Sequence, residues 1–291
     1  KAYPKRWEKR AIDWRRGALR ILFFGDVYGR VGREVVARRL TPLVKETGAD
    51  AVIVNGENAA GGKGISAQIC QELFSLGVDV ITLGNHAFDK REIATYIDGE
   101  PRLIRPLNYP PGTPGAGSYI VRRGGRPLLA VVQVQGRVYS PQLLEDPFRA
   151  VEGEVERLRQ STPVIIVDCH AEATSEKQAM GWFLDGQVSA VIGTHTHVQT
   201  ADEVILPGGT AYMTDVGMCG PWVSVIGADR ELVLERFLTQ RPVRLEAARG
   251  PAILSAVLIE VDEATGKATG IQRILEREVA TEPLASLFGR W

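Results

Sequence analysis

The chain has 291 residues, of which 44% are hydrophobic and 24% are charged, and 35 basic residues balance 35 acidic ones. This length suits one large domain or two small ones, and the composition is ordinary for a water-soluble globular protein. Zero net charge gives no indication of a polyanionic partner such as RNA, and no apolar run is long enough to cross a membrane. The three widely spaced cysteines favour a reducing compartment, so a cytoplasmic location is expected.

The start of the chain is richer in basic residues than the rest. The first twenty residues carry eight lysines and arginines against Glu8 and Asp13. One interpretation is a basic arm for nucleic acid or another anionic surface. The other, which we favour, is a solvated segment ahead of the folded part. We therefore predict a basic N-terminal extension over residues 1–18 and a single domain over residues 19–291.

From residue 20 onward, short β-branched or aromatic runs alternate with stretches typical of helices. Strands are predicted over residues 20–25, 51–55, 79–84, 128–134, 164–168, 189–193 and 210–215. Helices are predicted over residues 32–47, 66–76, 90–98, 147–160 and 175–184, and the proline- and glycine-rich segment 105–117 is predicted to be a loop. The alternation indicates an α/β sheet with crossover helices. Residues 253–261 and 268–274 instead predict a β-hairpin.

Five of the predicted strands end in an acid, an amide or an imidazole. In open α/β sheets, ligands bind at the carboxyl ends of the strands. The metal-ligating candidates at these ends are Asp26, Glu57, Asn58, Asn85, His170, His195 and His197. They offer nitrogen and oxygen atoms and no thiolate, which suits iron, manganese or zinc in a reactive site more than a structural zinc site.

The segment GTHTHVQ places two histidines one residue apart after a predicted strand. In extended backbone His195 and His197 would face the same side. Seven donor groups exceed what one ion needs, and a bridging carboxylate such as Glu57 would serve two ions about 3.5–4 Å apart. Each residue alone has a simpler interpretation, such as Asp26 capping a helix. Their joint placement at strand ends favours the metal site.

Two glycine-rich segments, GDVYGRVG and GGKGIS, resemble nucleotide-binding loops only superficially. Neither has the spacing of a dinucleotide turn or a P-loop, and Asp26 would repel an approaching phosphate. We expect the glycines of GGKGIS to let a loop bend over the metal site.

Six segments in order carry a resemblance to a known family: GDVYGRVGR, NGENAAGGKGI, LGNHAFDKREI, DCHAEATSEK, GTHTHVQTAD and GGTAYMTDVGMCGP. Together they resemble the YmdB-type branch of the calcineurin-like metallophosphoesterases, over roughly residues 20 to 275. The resemblance implies a four-layer α/β/β/α sandwich and a homo-oligomer. It also implies a dinuclear, metal-dependent phosphodiesterase whose small-molecule substrate is a cyclic nucleotide, with the 2′,3′-cyclic form favoured.

The resemblance also assigns roles to the candidate residues. It implies that Asp26, Asn58 and His197 hold one divalent transition-metal ion. Asn85, His170 and His195 would hold the other, and Glu57 would bridge the two. Iron or manganese is expected more than zinc. A metal-bound hydroxide would attack the phosphorus, and His86 would act as general acid toward the leaving oxygen.

This branch departs from the wider superfamily in two motifs. Tyr28 stands where the wider pattern has a histidine, and NGEN stands where it has GDxxD, so Glu57 bridges in place of an aspartate. Asp168 and Glu172 flank His170 and are candidates to orient an imidazole N–H, although surface or capping roles are equally compatible with their positions.

The substrate class follows from charge, and two alternative functions stay open. The motifs contain no obvious cluster of arginine or lysine, which favours a singly charged diester over a phosphomonoester dianion. One alternative is a catalytically weak metal-binding regulatory protein. The other is a mononuclear hydrolase acting on a substrate without phosphate.

Overall fold

A computed structural model describes residues 18–279, and residues 1–17 and 280–291 lie outside the described part. The predicted N-terminal extension therefore lies outside it, apart from Ala18, with which the first strand begins. In chain order the strands are β1 (Ala18–Phe24), β2 (Asp26–Val27), β3 (Ala51–Asn55), β4 (Val80–Thr82), β5 (Leu103–Ile104), β6 (Ser118–Arg123), β7 (Arg126–Gln135), β8 (Ile165–His170), β9 (Ala190–Thr194), β10 (Val204–Ile205), β11 (Ala211–Met213), β12 (Met218–Pro221), β13 (Ala252–Asp262) and β14 (Ala268–Arg277).

All the helices described except the last contribute apolar side chains to the cores on the outer faces of the two sheets. The helices are α1 (Gly29–Thr47), α2 (Ala67–Ser75), α3 (Ile93–Tyr96), α4 (Pro147–Arg159), α5 (Thr174–Phe183) and α6 (Arg230–Thr239), and a 3-10 turn over Ile97–Gly99 continues α3. Side chains cap several of them, as at α4, where the Asp146 carboxylate accepts hydrogen bonds from the backbone N–H groups of Phe148 and Arg149. Asp26 does not cap α1, whose N-cap is Tyr28. The simpler interpretation of Asp26 as a helix cap is therefore wrong.

The strands form two sheets. The eight-stranded sheet has the order β2-β12-β13-β1-β3-β4-β5, with β14 paired to β13, and the six-stranded sheet has the order β10-β11-β9-β8-β7-β6. Strands β1, β3, β4 and β5 are parallel to one another, as are β7, β8, β9 and β11. The parallel strands of each sheet therefore bring the residues that follow them to one edge of that sheet.

Alternate residues of the central strands enter different hydrophobic cores, because each strand is buried on both faces. In β1, Ile21 and Phe23 face the other sheet and join Val131 and Ile166 in the inter-sheet core. The intervening Leu22 and Phe24 pack with α1 and α2. A third core lies between the six-stranded sheet and α4 and α5. The layers are therefore α/β/β/α, which confirms the predicted fold class.

The predicted strands and helices recur within a few residues of their predicted bounds, and the hairpin is β13–β14. No helix was predicted at α6, because its sequence RELVLERFLT shows no apolar stripe. In the structure this helix buries only Val233. The short strands β2, β5, β10 and β12 and the strand β6 also lack a clear signal. Within residues 18–279, no helix is both long and apolar enough to span a membrane.

Candidate metal centre

The structure brings all seven predicted ligands together, and each follows or ends a strand. Asp26 begins β2, separated from the end of β1 at Phe24 by Gly25 alone; Glu57 and Asn58 follow β3; Asn85 follows β4; His170 ends β8; His195 and His197 follow β9. Asp26, Glu57, Asn58 and His170 are buried, whereas the other three are partly exposed. Both sheets contribute, so the site lies where the carboxyl ends of their strands meet.

The first cluster of donor atoms is centred on His170. Its Nε2 lies 2.9 Å from Asn85 Oδ1, 3.1 Å from Glu57 Oε1 and 3.1 Å from His195 Nδ1. Ligand atoms about 2.1 Å from one ion stand about 3 Å apart when the bonds meet at right angles. The observed spacings fit that arrangement. Ligand atoms of Glu57, His170 and His195 all lie within 4.8 Å of one another, as a shared metal ion requires.

The second cluster joins Asp26, Asn58 and His197. His197 Nε2 lies 3.7 Å from Asp26 Oδ1 and 3.1 Å from Asn58 Nδ2, and the Asn58 amide also lies 3.5 Å from Asp26 Oδ1. The same amide is 3.2 Å from Glu57 Oε1, so Glu57 adjoins both clusters. Rotation of the Asn58 amide by a half turn would present its oxygen as a ligand instead of its nitrogen.

A relay of hydrogen bonds fixes the tautomer of His170. Its Nδ1 lies 2.8 Å from Thr194 Oγ1, and that hydroxyl lies 2.7 Å from Asp168 Oδ1. Because the Thr194 hydroxyl donates to the carboxylate, it accepts from His170 Nδ1–H, which leaves a lone pair on Nε2 for a metal. Asp168 also accepts from Thr82 and Asn55. It therefore orients His170 through Thr194 and not directly.

Outer partners also fix the other two histidines. His195 Nε2 lies 3.1 Å from the Glu172 carboxylate, so Nε2 donates and Nδ1 presents its lone pair to the first cluster. His197 Nδ1 donates to the backbone carbonyl of Ile226 at 2.8 Å, which leaves Nε2 for the second cluster. Glu172 therefore orients an imidazole, but that of His195 and not the neighbouring His170. Three lone pairs directed inward are the arrangement expected of metal ligands.

The electrostatics of the first cluster indicate a place for positive charge. Burial opposes protonation of His170, but the carboxylates of Glu57, Asp26 and Asp168 together outweigh burial and raise the pKa of His170 to about 9. Burial favours neutral Glu57, but His170 and His86 together outweigh burial and lower the pKa of Glu57 to about 2. Burial and the nearby His170 lower the pKa of His195 to about 3. A cation shared by these groups would satisfy the buried carboxylate that otherwise requires a protonated imidazole.

The two histidines of the THTH turn do not lie in extended backbone, so that expectation was wrong. His195 has φ 97° and His197 has φ 65°, both in the left-handed region that few side chains adopt. The turn is held by Asp215, whose Oδ2 accepts from Thr196 N at 3.0 Å and from Thr196 Oγ1 at 2.7 Å. The two imidazoles consequently reach different clusters. In a regular strand, side chains two residues apart would lie on the same face.

His86 lies beside the clusters without joining them. Its backbone N–H donates to Glu57 Oε2 at 3.0 Å, and its Nδ1 lies 2.8 Å from Asp89 Oδ2. The side chain is 25% exposed and lines a cleft over the site. With Nδ1–H directed at Asp89, the other ring nitrogen is available to exchange a proton with a ligand.

The cleft over the clusters has a volume of about 770 Å³ and carries two cations that the sequence argument did not include. Lys63, in the glycine-rich loop, and Arg236, in α6, both line it. Neither makes an ion pair with another residue in the range 18–279. The motifs contain no cluster of basic side chains, as stated above, but these two cations add positive charge to the cleft. The expectation that the glycine-rich loop borders the site is confirmed, since Gly62 also lines the cleft.

The family model for YmdB-like proteins matches residues 22–274. This chain belongs to the YmdB-like family. A Bacillus subtilis (strain 168) relative named 2′,3′-cyclic-nucleotide 2′-phosphodiesterase is 50% identical over 257 residues, which cover 88% of this chain and 97% of that protein.

Two solved structures share the fold of this YmdB-like chain. The crystal structure of a novel phosphatase from Mycoplasma pneumoniae is 36% identical with a TM-score of 0.85, and covers 93% of this chain and 99% of its own. A hypothetical protein from Thermus thermophilus is 44% identical with a TM-score of 0.83, and covers 90% of this chain and 100% of its own. The likeness to the phosphatase confirms a fold of the calcineurin-like metallophosphoesterase type.

Sequence patterns missed two sets of residues in this YmdB-like site. The first set, Thr194, Asp215 and Lys177, supports the candidate ligands through hydrogen bonds; these residues stand inside the quoted motif segments, but the sequence assigned them no role. The second set, Phe237 with Arg236 in α6 and Ile226 in the loop before it, lines the cleft from a segment without strand or helix signals.

Proposed function

We propose that this chain is a dinuclear, metal-dependent phosphodiesterase that hydrolyses cyclic nucleotides, with 2′,3′-cyclic substrates preferred. The observation that carries this proposal is the pair of adjoining donor clusters, in which three histidines have their free lone pairs directed inward by outer partners. The name of the 50% identical Bacillus subtilis relative supports the substrate class. The family and the nitrogen and oxygen ligand set support metal dependence.

The seven ligands divide between two ions in this proposal. Asn85, His170 and His195 would hold one ion, and Asp26, Asn58 and His197 would hold the other. Glu57 would serve both, since its Oε1 lies within 3.2 Å of both His170 Nε2 and Asn58 Nδ2. The absence of thiolate and the mixed imidazole, amide and carboxylate set favour iron or manganese over zinc.

The charge of the loaded site suits a phosphodiester. Two divalent ions with the Asp26 and Glu57 carboxylates leave a net charge of about +2 for the nucleophile and a singly charged ester. When bound, the ions supply Lewis acidity to the phosphoryl oxygens and make hydroxide available near neutral pH.

The chain's own groups orient the substrate and move its proton. His86 donates a proton to the leaving oxygen, and Asp89 holds the imidazole through Nδ1. Glu172 keeps His195 in its ligating tautomer, and the Asp168–Thr194 relay does the same for His170. Lys63 and Arg236 place positive charge along the cleft, where they attract the anionic ester.

The decisive experiment combines metal analysis with a phosphoester panel on one preparation. We expect about two transition-metal ions per chain, together with turnover of 2′,3′-cyclic AMP faster than of 3′,5′-cyclic AMP or adenosine monophosphate. Two ions without steady turnover would instead support the catalytically weak regulatory protein. One ion with turnover of a substrate lacking phosphate would support the mononuclear hydrolase. Preference for the monoester would make the enzyme a phosphatase.

Three further expectations stay predictions: a cytoplasmic location, a homo-oligomeric state, and the division into an extension over residues 1–18 and a domain over residues 19–291.

A further inference from the structure

The catalytic cleft is far larger than a phosphate group requires. Its volume of about 770 Å³ falls within the range of about 300–1,000 Å³ typical of sites for whole small molecules. One side is formed by Glu57, Asn58, His86 and His195, which are the groups proposed to act on the phosphate. The rest of the cleft is large enough to accommodate the remainder of the substrate.

Several apolar side chains line the cleft from one stretch of chain, which also contributes the polar Arg236 and Gln240. Ile226, Val233, Phe237 and Leu245 form this apolar wall, and all belong to α6 and its two flanking loops. An apolar wall facing a charged site is the arrangement that nucleoside-binding pockets use, because a base offers two apolar faces and a polar edge.

Ile226 ties this wall directly to a proposed metal ligand. Its backbone carbonyl accepts the hydrogen bond from His197 Nδ1 at 2.8 Å, and its φ of 48° lies in the left-handed region. A β-branched residue in that region is strained, and such strain concentrates at functional sites. The strained backbone holds His197 in position, while the side chain, 52% exposed, lines the cleft.

Phe237 has the chemistry to bind a base. Its ring is 69% exposed although it is a large apolar group, and α6 buries only Val233, so packing of the helix does not account for it. The neighbouring Leu238 is 73% exposed but does not line the cleft. Exposed aromatic rings beside a phosphate site serve as stacking platforms, worth about 1–3 kcal/mol for each stacked base.

We propose that Phe237 and Ile226 form the nucleobase-binding wall of this enzyme, with the base stacked on the Phe237 ring and the ribose phosphate directed at the metal ligands. This inference rests on the proposed phosphodiesterase function and assigns the specificity of that site to α6. The wall discriminates by stacking area, so purine substrates bind more tightly than pyrimidine substrates.

The test compares Phe237→Ala with the matched control Leu238→Ala in metal-loaded protein. Two substrates are used: 2′,3′-cyclic AMP and the 2,3-cyclic phosphate of methyl ribofuranoside, which has no base. For Phe237→Ala we expect KM for 2′,3′-cyclic AMP to rise about 10-fold, the size of one lost base–aromatic stack. We expect its kcat, its turnover of the base-free substrate and its metal content to be unchanged. Phe237→Trp should keep the low KM, and Leu238→Ala should match wild type on both substrates.

Two results would overturn the base site while leaving the proposed function intact. One is an unchanged KM for 2′,3′-cyclic AMP in Phe237→Ala. The other is an equal loss on both substrates, which would show that Phe237 supports the phosphate site and not the base. Failure of wild-type protein with bound metal to turn over either substrate would overturn the proposed function, and the base site with it.

Discussion

Lys177 Nζ lies 2.6 Å from Asp215 Oδ2, and both side chains are fully buried behind the turn that carries His195 and His197. The same carboxylate oxygen accepts both hydrogen bonds from Thr196. This ion pair therefore connects α5 to the left-handed backbone that presents two proposed metal ligands.

Replacement of Lys177 should destabilise the fold and loosen the metal site together. Lys177→Met leaves Asp215 buried without its cation, which costs about 3–5 kcal/mol. We expect a lower free energy of unfolding in urea and a weaker metal affinity in a chelator competition. The exposed Lys45→Met is the control and should change stability by less than about 0.5 kcal/mol. If Lys177→Met bound metal as wild type does, the ion pair would support the fold without positioning the turn.

The bridging role of Glu57 predicts a difference in metal stoichiometry between two neighbouring variants. Glu57→Ala should lose both ions or hold them loosely, because Glu57 adjoins both donor clusters. Asn58→Ala should mainly weaken the ion held with Asp26 and His197. Metal analysis after dialysis against a weak chelator measures both. Full occupancy in Glu57→Ala is the result that contradicts the bridge.

His86 is predicted to affect chemistry without affecting metal binding. His86→Ala should keep the fold and both ions but lose about 10²–10⁴ in kcat, the usual contribution of a general acid. The loss should shrink for a p-nitrophenyl leaving group, which departs without protonation. Asp89→Asn should cause a smaller loss, because it weakens only the orientation of the ring. An equal loss for p-nitrophenyl and alkyl leaving groups would assign His86 to phosphate binding instead.

The sequence predicted the buried central strands and the candidate ligands, because both are recognisable from the chemical type of their side chains. The central strands β1, β3, β7 and β8 are mostly apolar because they are covered on both faces. The candidate ligands are recognisable because acids, amides and imidazoles stand together at the ends of several strands, although each of them alone has other common roles.

Contacts distant in sequence account for what the sequence could not predict. The left-handed conformation of His195 and His197 depends on Asp215, and Asp215 depends on Lys177, whose aliphatic stem gives no sign that it lies in a core. Helix α6 was missed because its exposed Phe237 does not follow the apolar period of a packed helix. A side chain that is exposed in order to bind a ligand does not add to the apolar periodicity by which a packed helix is recognised.

The last prediction concerns the Asp168–Thr194–His170 relay. Thr194→Val keeps the shape of the side chain but removes the hydroxyl, so His170 Nδ1–H and Asp168 both lose a partner in a fully buried place. Loss of such an outer partner of a ligating histidine typically lowers metal affinity by about 10–100-fold. Unsatisfied buried groups should also lower the free energy of unfolding by about 1–3 kcal/mol. Thr194→Ser is the matched control: it retains the hydroxyl and should recover most of the metal affinity even though it loses a methyl group from the core. If serine and valine weakened metal binding equally, packing around β9 and not the hydrogen bond to His170 would govern the site.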